Sequence, residues 1–355
     1  MAFWTGKDVF GRKRRVRPFQ QEMAILAQVT LLNFFNLGEC KLRGLTEDTA
    51  MPEPLQKRRE EVIQSLTDIE TKYEAVQQKL VNPDVQAQLK NDRDNRMLWD
   101  LLKERYDFQD SDLDTIFTRA MKKYAVGDYE ETSDTLYIFA QLAPYEHPKH
   151  LSAIWGKLAS EIFQEAYSSA LEDVNHLKES IDKANANKDP LSLLQWRTWL
   201  LHWSLFVFFT EDSKNPKGGC SKSNDIINLF LNTEEYRNAI ETICPWMLRY
   251  LAVVIVTSKN LDQKNYKQLI RLIDQEHYNY SDPITDFLLC LNVHYDFDEA
   301  QVKLQQSERV LKSDYFLHQY AQEFIEQGRV LMFEMYCKIH QKISISTIAE
   351  KLNMP

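Results

Sequence analysis

Apolar residues recur at helical spacing, three and four positions apart, along most of this chain. Residues 113–126 follow this pattern, Gly-Asp-Tyr at 127–129 interrupts it, and residues 130–142 resume it before Pro144. Glycine favours the left-handed backbone that ends a helix, and aspartate is a good cap for the helix that follows. The pattern therefore predicts a helical hairpin at residues 113–142.

Two further stretches follow the same plan. The second hairpin comprises residues 151–164 and 167–181, and the third comprises 284–295 and 299–311 around an acidic turn at 296–298. In the second hairpin we expect the apolar side chains of the two helices to face each other: Ile154, Leu158 and Ile162 on the first, Leu171, Val174 and Leu177 on the second. Turns that return after about 38 residues are typical of helical-repeat solenoids, which expose a long concave surface.

The most apolar stretch, residues 196–209 (WRTWLLHWSLFVFF), predicts a helix inside the protein. Its length of about 14 residues falls short of the roughly 20 that cross a bilayer. Trp196, Trp199 and Trp203 are three and four positions apart and share one helical face. We predict that these indoles and Trp155 are structural core, because aromatic stripes at helical spacing usually serve packing.

The last residues change character. Residues 342–346 (KISIS) alternate apolar and polar side chains, which predicts a short strand after a helix at 315–340. Ser346 can cap a further helix at 347–353. Helix, strand and helix is the order in which a winged helix begins. Because the chain ends at Pro355, before a third helix or wing, we expect an incomplete winged helix.

Three residues of this C-terminal segment are candidate partner-docking residues. Ile343 and Ile345 lie in the predicted strand, whose unpaired edge can add to the sheet of a neighbour, and Leu352 lies in the helix that follows. The alternative, that the two isoleucines face the chain's own core, fits the pattern equally well.

Composition argues against an enzyme. The 355 residues include only nine glycines, and neither a GxGxxG nor a GxxxxGK[ST] phosphate-binding motif occurs. The five cysteines are scattered without a CxxC pair, and HPKH at 147–150 lacks the glutamate of a zinc-hydrolase helix, so we expect a surface loop there. We predict no catalytic, cofactor-binding or metal-binding residue and no cofactor.

Charge favours protein partners over nucleic acid. The formal net charge is −9, which repels nucleic acid overall. The basic segment 11–17 (GRKRRVR) is the exception; its alternative interpretation is a disordered tail. The apolar residues 24–35 behind it imitate a secretory signal, although three polar residues at 20–22 weaken that interpretation. The candidate nucleic-acid contacts are Arg12, Lys13, Arg14, Arg15 and Arg17.

Longer stretches of the chain carry a family resemblance. They resemble, in order and over nearly all of residues 93–355, the e-subunit family of eukaryotic translation initiation factor 3. The stretches are 93–100 (RDNRMLWD), 151–161 (LSAIWGKLASE), 195–209 (QWRTWLLHWSLFVFF), 225–230 (DIINLF), 238–250 (NAIETICPWMLRY), 282–287 (DPITDF) and 343–354 (ISISTIAEKLNM).

The resemblance implies a fold and a division into domains. The implied fold is all-α, a right-handed superhelical array of tetratricopeptide-like hairpins that leads into a truncated winged helix, the PCI module. Residues 41–210 would form the N-terminal helical-repeat region, 211–340 the helical part of the PCI domain, and 341–355 the incomplete winged helix. Residues 1–40 match none of the family's stretches, and we expect them to be poorly ordered or an error in the gene assignment.

The resemblance also implies a function. The chain would be a non-catalytic scaffold subunit in the cytoplasm, with a nuclear pool, supporting assembly of the initiation complex on the small ribosomal subunit and mRNA recruitment. Its partners would be other subunits of the factor, notably those called c, d and l, and the small ribosomal subunit, with indirect mRNA contact and neither a membrane nor a small-molecule substrate. Two alternatives stay open: a PCI scaffold subunit of the proteasome lid or signalosome, and an RNA-binding protein acting through the basic N-terminal segment.

Overall fold

Helices and short connections make up the whole of the chain that the computed structural model describes, which is residues 53–85, 95–183, 189–209, 224–258 and 262–339. No strand occurs among these residues, and the prediction of an all-α fold is confirmed. The α-helices are α1 (Glu53–Leu80), α2 (Asn95–Tyr106), α3 (Asp110–Val126), α4 (Tyr129–Leu142), α5 (His150–Phe163), α6 (Tyr167–Lys183), α7 (Pro190–Phe209), α8 (Glu234–Ile243), α9 (Met247–Thr257), α10 (Gln263–Glu276), α11 (Pro283–Leu289), α12 (Phe297–Ser313) and α13 (Ala321–Ile339).

These helices belong to two units, which divide between Ala166 and Tyr167. The predicted boundary near residue 210 falls inside the second unit. The superhelical arrangement and the division into family domains remain predictions. The predicted strand at 342–346 and the incomplete winged helix at 341–355 lie outside the described residues.

The first unit contains the predicted hairpin of α3 and α4, which pack against each other. Gly127 ends α3 in the left-handed conformation, at φ +95°. The side chain of Asp128 accepts a hydrogen bond from the backbone N–H of Glu131, at 3.3 Å, and so caps α4. The prediction at residues 113–142 is confirmed, because these signals are local in the chain.

Three aspartates in the first turns of α3 connect this helix to three other parts of the unit. Negative charge near a helix N-terminus interacts favourably with the helix dipole. Each carboxylate here also pairs with a lysine from elsewhere in the chain. The pairs are Asp110 with Lys103 of α2 at 2.7 Å, Asp112 with Lys79 of α1 at 2.9 Å, and Asp114 with Lys149 before α5 at 2.7 Å.

Arg119 links α1, α3 and α4 in the same unit. Its guanidinium lies 4.2 Å from the centre of the Tyr73 ring. It donates to Glu70 at 3.0 Å, to Glu131 at 3.0 Å and to the hydroxyl of Thr135 at 2.7 Å. A buried guanidinium is stable only when its donors are satisfied, so this network fixes the packing of the three helices.

The helices of the second predicted hairpin are present as α5, in the first unit, and α6, in the second. Within the first unit α5 packs against α4, and within the second α6 packs against α7. Of the six residues predicted on the apolar faces, Ile154, Leu158, Ile162, Val174 and Leu177 are buried and Leu171 is partly buried. Periodicity does not identify which helix covers each face.

The longest helix described in the second unit is α7, with 20 residues, which begins with Pro190. Helices α6 and α8 pack against α7, α9 packs against α10, α11 and α13, and α12 packs against α11 and α13. The predicted hairpin at 284–311 is confirmed as α11 and α12. Tyr295 adopts φ +55°, and Asp296 then caps α12 through the backbone N–H of Glu299 at 3.0 Å.

The last described helix begins later than predicted. The expected start is residue 315, whereas α13 begins at Ala321 after a short 3-10 turn at His318–Tyr320. The side chain of Asp314 accepts hydrogen bonds from the backbone N–H groups of Phe316 and Leu317, at 3.0 and 3.3 Å. This turn separates α12 from α13.

Candidate functional site

Among the described residues, no group of three or more His, Cys, Asp or Glu side chains could hold a metal ion. The HPKH motif is a loop only in part, because His150 opens α5 and is buried, which corrects the expectation of a surface loop. Burial raises the pKa of the Cys244 thiol to about 12, so this thiol is not activated for nucleophilic chemistry.

Partly exposed aromatic rings gather on the second unit, where the end of α7 meets the connection between α12 and α13. We call Trp203, Phe206, Tyr315 and Phe316 the Phe316 surface. The ring centres of Phe206 and Phe316 are 4.9 Å apart, those of Tyr315 and Phe316 5.1 Å, and those of Trp203 and Phe206 6.0 Å. Tyr315 is 73% exposed and Phe206 37% exposed. The arrangement places apolar rings at the surface next to one another.

A second layer of aromatic rings supports the Phe316 surface from below. The buried ring of Phe209 lies 5.7 Å from Tyr250, 5.9 Å from Tyr320 and 6.4 Å from Phe316, centre to centre. The side-chain amide of Gln319 donates a hydrogen bond to the carbonyl of Phe209. Edge-to-face rings at such distances hold one another in place, so the surface rests on a packed base.

An ion-pair network anchors the connection that carries Tyr315 and Phe316. Asp314, whose backbone turn is described above, accepts a hydrogen bond from Arg249 at 3.3 Å and from the hydroxyl of Tyr250 at 3.2 Å. Arg249 also donates to Asp282, the cap of α11, and Asp282 accepts a second hydrogen bond from the hydroxyl of Tyr280 at 3.1 Å. Burial, followed by the nearby Asp314 carboxylate, raises the pKa of Tyr250. The tyrosine hydroxyl therefore remains a donor.

His202 lies on α7, and the hydrogen-bond partners of its ring determine its protonation state. Its Nδ1 lies 2.7 Å from the carbonyl of Thr198, which can only accept, so Nδ1 carries the proton. Its Nε2 accepts a hydrogen bond from the indole N–H of Trp246 at 3.1 Å. Burial lowers the pKa of His202, although the hydrogen bond to Thr198 opposes this. A neutral ring satisfies both partners, and a protonated ring loses the bond to Trp246.

The four tryptophans predicted as core are each only partly buried. On α7 the fully packed positions are instead residues such as Leu200, Leu201 and Phe208. Because α7 has apolar residues on all sides, the hydrophobic pattern did not distinguish its buried positions from its partly exposed ones. The indoles of Trp155, Trp196, Trp199 and Trp203 border the core rather than fill it.

The other predicted site residues lie outside the described residues. These are the docking candidates Ile343, Ile345 and Leu352 and the basic candidates Arg12, Lys13, Arg14, Arg15 and Arg17. Sequence reasoning missed Tyr315 and Phe316, which it assigned to a helix. The signal that could have found them is Asp314 followed by two aromatic residues, an aspartate able to cap a turn between two apolar periodic segments.

No helix in the described ranges has both the length and the apolar character needed to cross a bilayer. The fold and the site together describe an all-helical protein with two units of packed hairpins and a partly exposed aromatic surface.

Comparisons with known proteins specify the family. Residues 13–121 match the family model described as eIF3 subunit 6 N terminal domain. The E subunit of eukaryotic translation initiation factor 3 from Caenorhabditis elegans is 38% identical over 307 residues, which cover 86% of this chain and 69% of that protein. The E subunit from Arabidopsis thaliana is 35% identical over 359 residues, covering 97% and 78%, and that from Drosophila melanogaster is 35% identical over 356 residues, covering 100% and 77%.

The chain therefore belongs to the E-subunit family of eukaryotic translation initiation factor 3. The family resemblance found in the sequence is confirmed. The expectation that residues 1–40 match no family is wrong from residue 13 onward, where the family model already aligns. Membership in this family also decides against the proteasome lid and the signalosome.

Proposed function

We propose that the chain is a non-catalytic scaffold subunit of the eukaryotic translation initiation factor 3 complex, acting in the cytoplasm with a nuclear pool. The observation that carries this proposal is the 35–38% identity to E subunits of that factor over most of the chain. Such a subunit would support assembly of the initiation complex on the small ribosomal subunit and the recruitment of mRNA. Packed helical hairpins suit this role because they present large surfaces to partners.

The direct partners in this proposal are the c, d and l subunits of the same complex. Ile343 and Ile345 would contribute a strand edge to a neighbour's sheet, and Leu352 would pack beside it. These contacts follow from the sequence pattern and the family resemblance.

The Phe316 surface would be a second docking site for another subunit of the complex. Tyrosine and tryptophan are enriched among the residues that contribute most to protein interfaces, and charged residues are depleted there. Tyr315 and Phe206 present rings to the surface, while Asp314 and Arg249 hold the connection beneath them. A surface ordered before binding loses less conformational entropy when a partner docks.

The test is affinity capture of the tagged full chain from cell extract, with quantification of each initiation factor 3 subunit by mass spectrometry. The wild-type chain should recover the c, d and l subunits together. The double variant Phe206→Ser, Tyr315→Ser should lose at least tenfold of one of them, because both exposed rings are removed. The variant Ile343→Asp, Ile345→Asp tests the strand edge in the same way.

Tyr278→Ser is the matched control, because Tyr278 is 99% exposed in the same unit but lies apart from the Phe316 surface in the chain and in its ring contacts. It should leave recovery unchanged. Unchanged recovery with the double variant would remove the Phe316 surface from the proposal. Recovery of proteasome-lid subunits in place of initiation factor subunits would overturn the assignment to the complex.

RNA binding through the basic segment is the second candidate function, favoured by five cations within residues 11–17. Phosphate contacts give an affinity that falls with rising salt. RNA binding should therefore weaken with salt and disappear when residues 1–40 are deleted. Affinity that survives this deletion would exclude the segment as the binding site.

A further inference from the structure

Three polar side chains, one each from α6, α7 and α8, meet inside the second unit. They are Asp182, Arg197 and Tyr236, and we call them the Tyr236 site. The side chain of Arg197 is 11% exposed and Tyr236 is fully buried, while Asp182 is partly exposed with its Oδ1 atom buried. The Nη2 atom of Arg197 lies 3.8 Å from Oδ1 of Asp182. The guanidinium carbon of Arg197 lies 5.9 Å from the centre of the Tyr236 ring.

Four buried polar atoms of the Tyr236 site have no hydrogen-bond partner among the residues that the structure describes. They are Oδ1 of Asp182, Nε and Nη2 of Arg197, and the hydroxyl of Tyr236. The distance between Arg197 and Asp182 is too long for a direct hydrogen bond. A buried polar group without a partner costs free energy, and nearly all such groups in folded proteins bond to protein atoms or ordered water. These atoms therefore call for a common partner.

The charges and protons of the Tyr236 site define what that partner must offer. Burial, followed by the nearby carboxylate of Asp182, raises the pKa of Tyr236, and the charge of Arg197 opposes this. The tyrosine hydroxyl therefore keeps its proton and can donate. Arginine can only donate, whereas the carboxylate oxygen of Asp182 accepts. A small molecule that accepts from two residues and donates to the third would satisfy the site.

We propose that the Tyr236 site binds one structural water molecule, which accepts hydrogen bonds from Arg197 and Tyr236 and donates one to Asp182. Two atoms 3.8 Å apart can share a water at ordinary hydrogen-bond distances. About three hydrogen bonds are usual for a buried water. An anion fits less well because the carboxylate of Asp182 repels it, and a metal ion because the guanidinium of Arg197 repels it. The water connects α6, α7 and α8.

Tyr236→Phe removes only the hydroxyl, and urea unfolding of the full chain measures the effect. A hydroxyl that bonds to a buried water contributes to stability, so the folding equilibrium constant should fall by about fivefold. Removing a hydroxyl that has no partner would leave the constant unchanged or raise it, and either result would overturn the proposal. Tyr278→Phe is the matched control, because Tyr278 is 99% exposed in the same unit. It should leave the constant unchanged.

Asp182→Ala tests whether the two residues share one ligand. In this background the water lacks its acceptor, so Tyr236→Phe should lower the folding constant by less than about twofold. A loss as large as in the wild-type background would contradict a shared water.

A crystal structure of the wild-type chain that resolves ordered waters distinguishes a water from a direct bond and does not depend on the folding of any variant. We expect density for one water within about 3.2 Å of polar atoms of all three residues. A direct hydrogen bond between Tyr236 and Asp182, or another protein atom in the place of the water, would overturn the proposal.

Discussion

The guanidinium of Arg249 on α9 donates a hydrogen bond to the carboxylate of Asp282, the residue that caps α11. The same guanidinium also donates a hydrogen bond to Asp314, which lies in the connection between α12 and α13. One cation thus holds two carboxylates that are almost fully buried, with side-chain exposures of 3% and 9%. The position of the Phe316 surface depends on this arrangement, because Asp314 forms the turn that presents it.

Replacing Arg249 with methionine should therefore destabilise the second unit strongly. Two buried carboxylates would face each other without a cation, and removing one partner of a buried pair costs about 3–5 kcal/mol. Arg249→Lys should cost less, because lysine keeps the positive charge between the two carboxylates. Some cost remains, because lysine lacks the planar guanidinium that pairs with both carboxylates. Urea unfolding followed by circular dichroism measures the change. Arg309→Met, at an exposed position on α12, should stay within about 0.5 kcal/mol of wild type.

His202 should make stability depend on pH below about 6.5. The folded protein holds the pKa of His202 below its usual value, so the unfolded chain binds the proton first as pH falls. Stability contributed by the neutral ring is complete above the unfolded pKa and decreases as pH falls toward the folded pKa. His202→Gln should reduce the slope of unfolding free energy against pH between 6.5 and 5, measured by urea unfolding at each pH. An unchanged slope would contradict the assignment, and His176→Gln, at an exposed position on α6, serves as the control.

Phe208 and Trp199 should differ in their contribution to stability although both lie on α7. Phe208 is 4% exposed, with its ring centre 6.4 Å from that of Phe230, and its replacement by alanine should cost about 3–5 kcal/mol. Trp199 is only partly buried, so Trp199→Ala should cost about half as much. Equal losses in thermal or urea unfolding would show that Trp199 belongs to the core after all.

Glu131 should contribute to the acid sensitivity of the first unit. The hydrogen bond from Lys123, and the charges of Lys123 and Arg119, hold the pKa of Glu131 below its usual value despite partial burial. Such a group stabilises the fold above the unfolded pKa, and this contribution is lost as pH falls through the folded pKa. Glu131→Gln should be less stable than wild type at pH 7, and the difference should shrink on acidification. Glu130→Gln, at the neighbouring exposed position, is the control. Its difference in stability from wild type should not shrink on acidification.

The hairpins of α3 with α4 and α11 with α12 could be predicted from sequence, because their turns are specified within a few residues. Gly127 adopts the left-handed backbone that ends α3, and Asp128 and Asp296 cap the helices that follow them. The correct family could also be inferred from the order of the longer stretches. These signals need no knowledge of which helix lies beside which.

The neighbours of each helix could not be predicted in the same way. Helical periodicity shows that Ile154 and Val174 lie on apolar faces, but many apolar faces are interchangeable as partners. Within their own units, α5 packs on α4 and α6 packs on α7, and the pattern of α5 or α6 alone does not identify these partners. On α7 itself, apolar residues on every side left Trp199 and Phe208 indistinguishable by pattern.

By itself, the sequence determined the helical class, the hairpin turns, the apolar faces and the family, because these depend on neighbours along the chain. Only the tertiary structure decided which rings stay at the surface and which charges meet. Phe206 and Phe316, or Arg249 and Asp314, are far apart in sequence and come together only when whole helices pack. Packing is decided by the shape and charge that each face presents to all the others at once, and the pattern of any single helix does not contain that information.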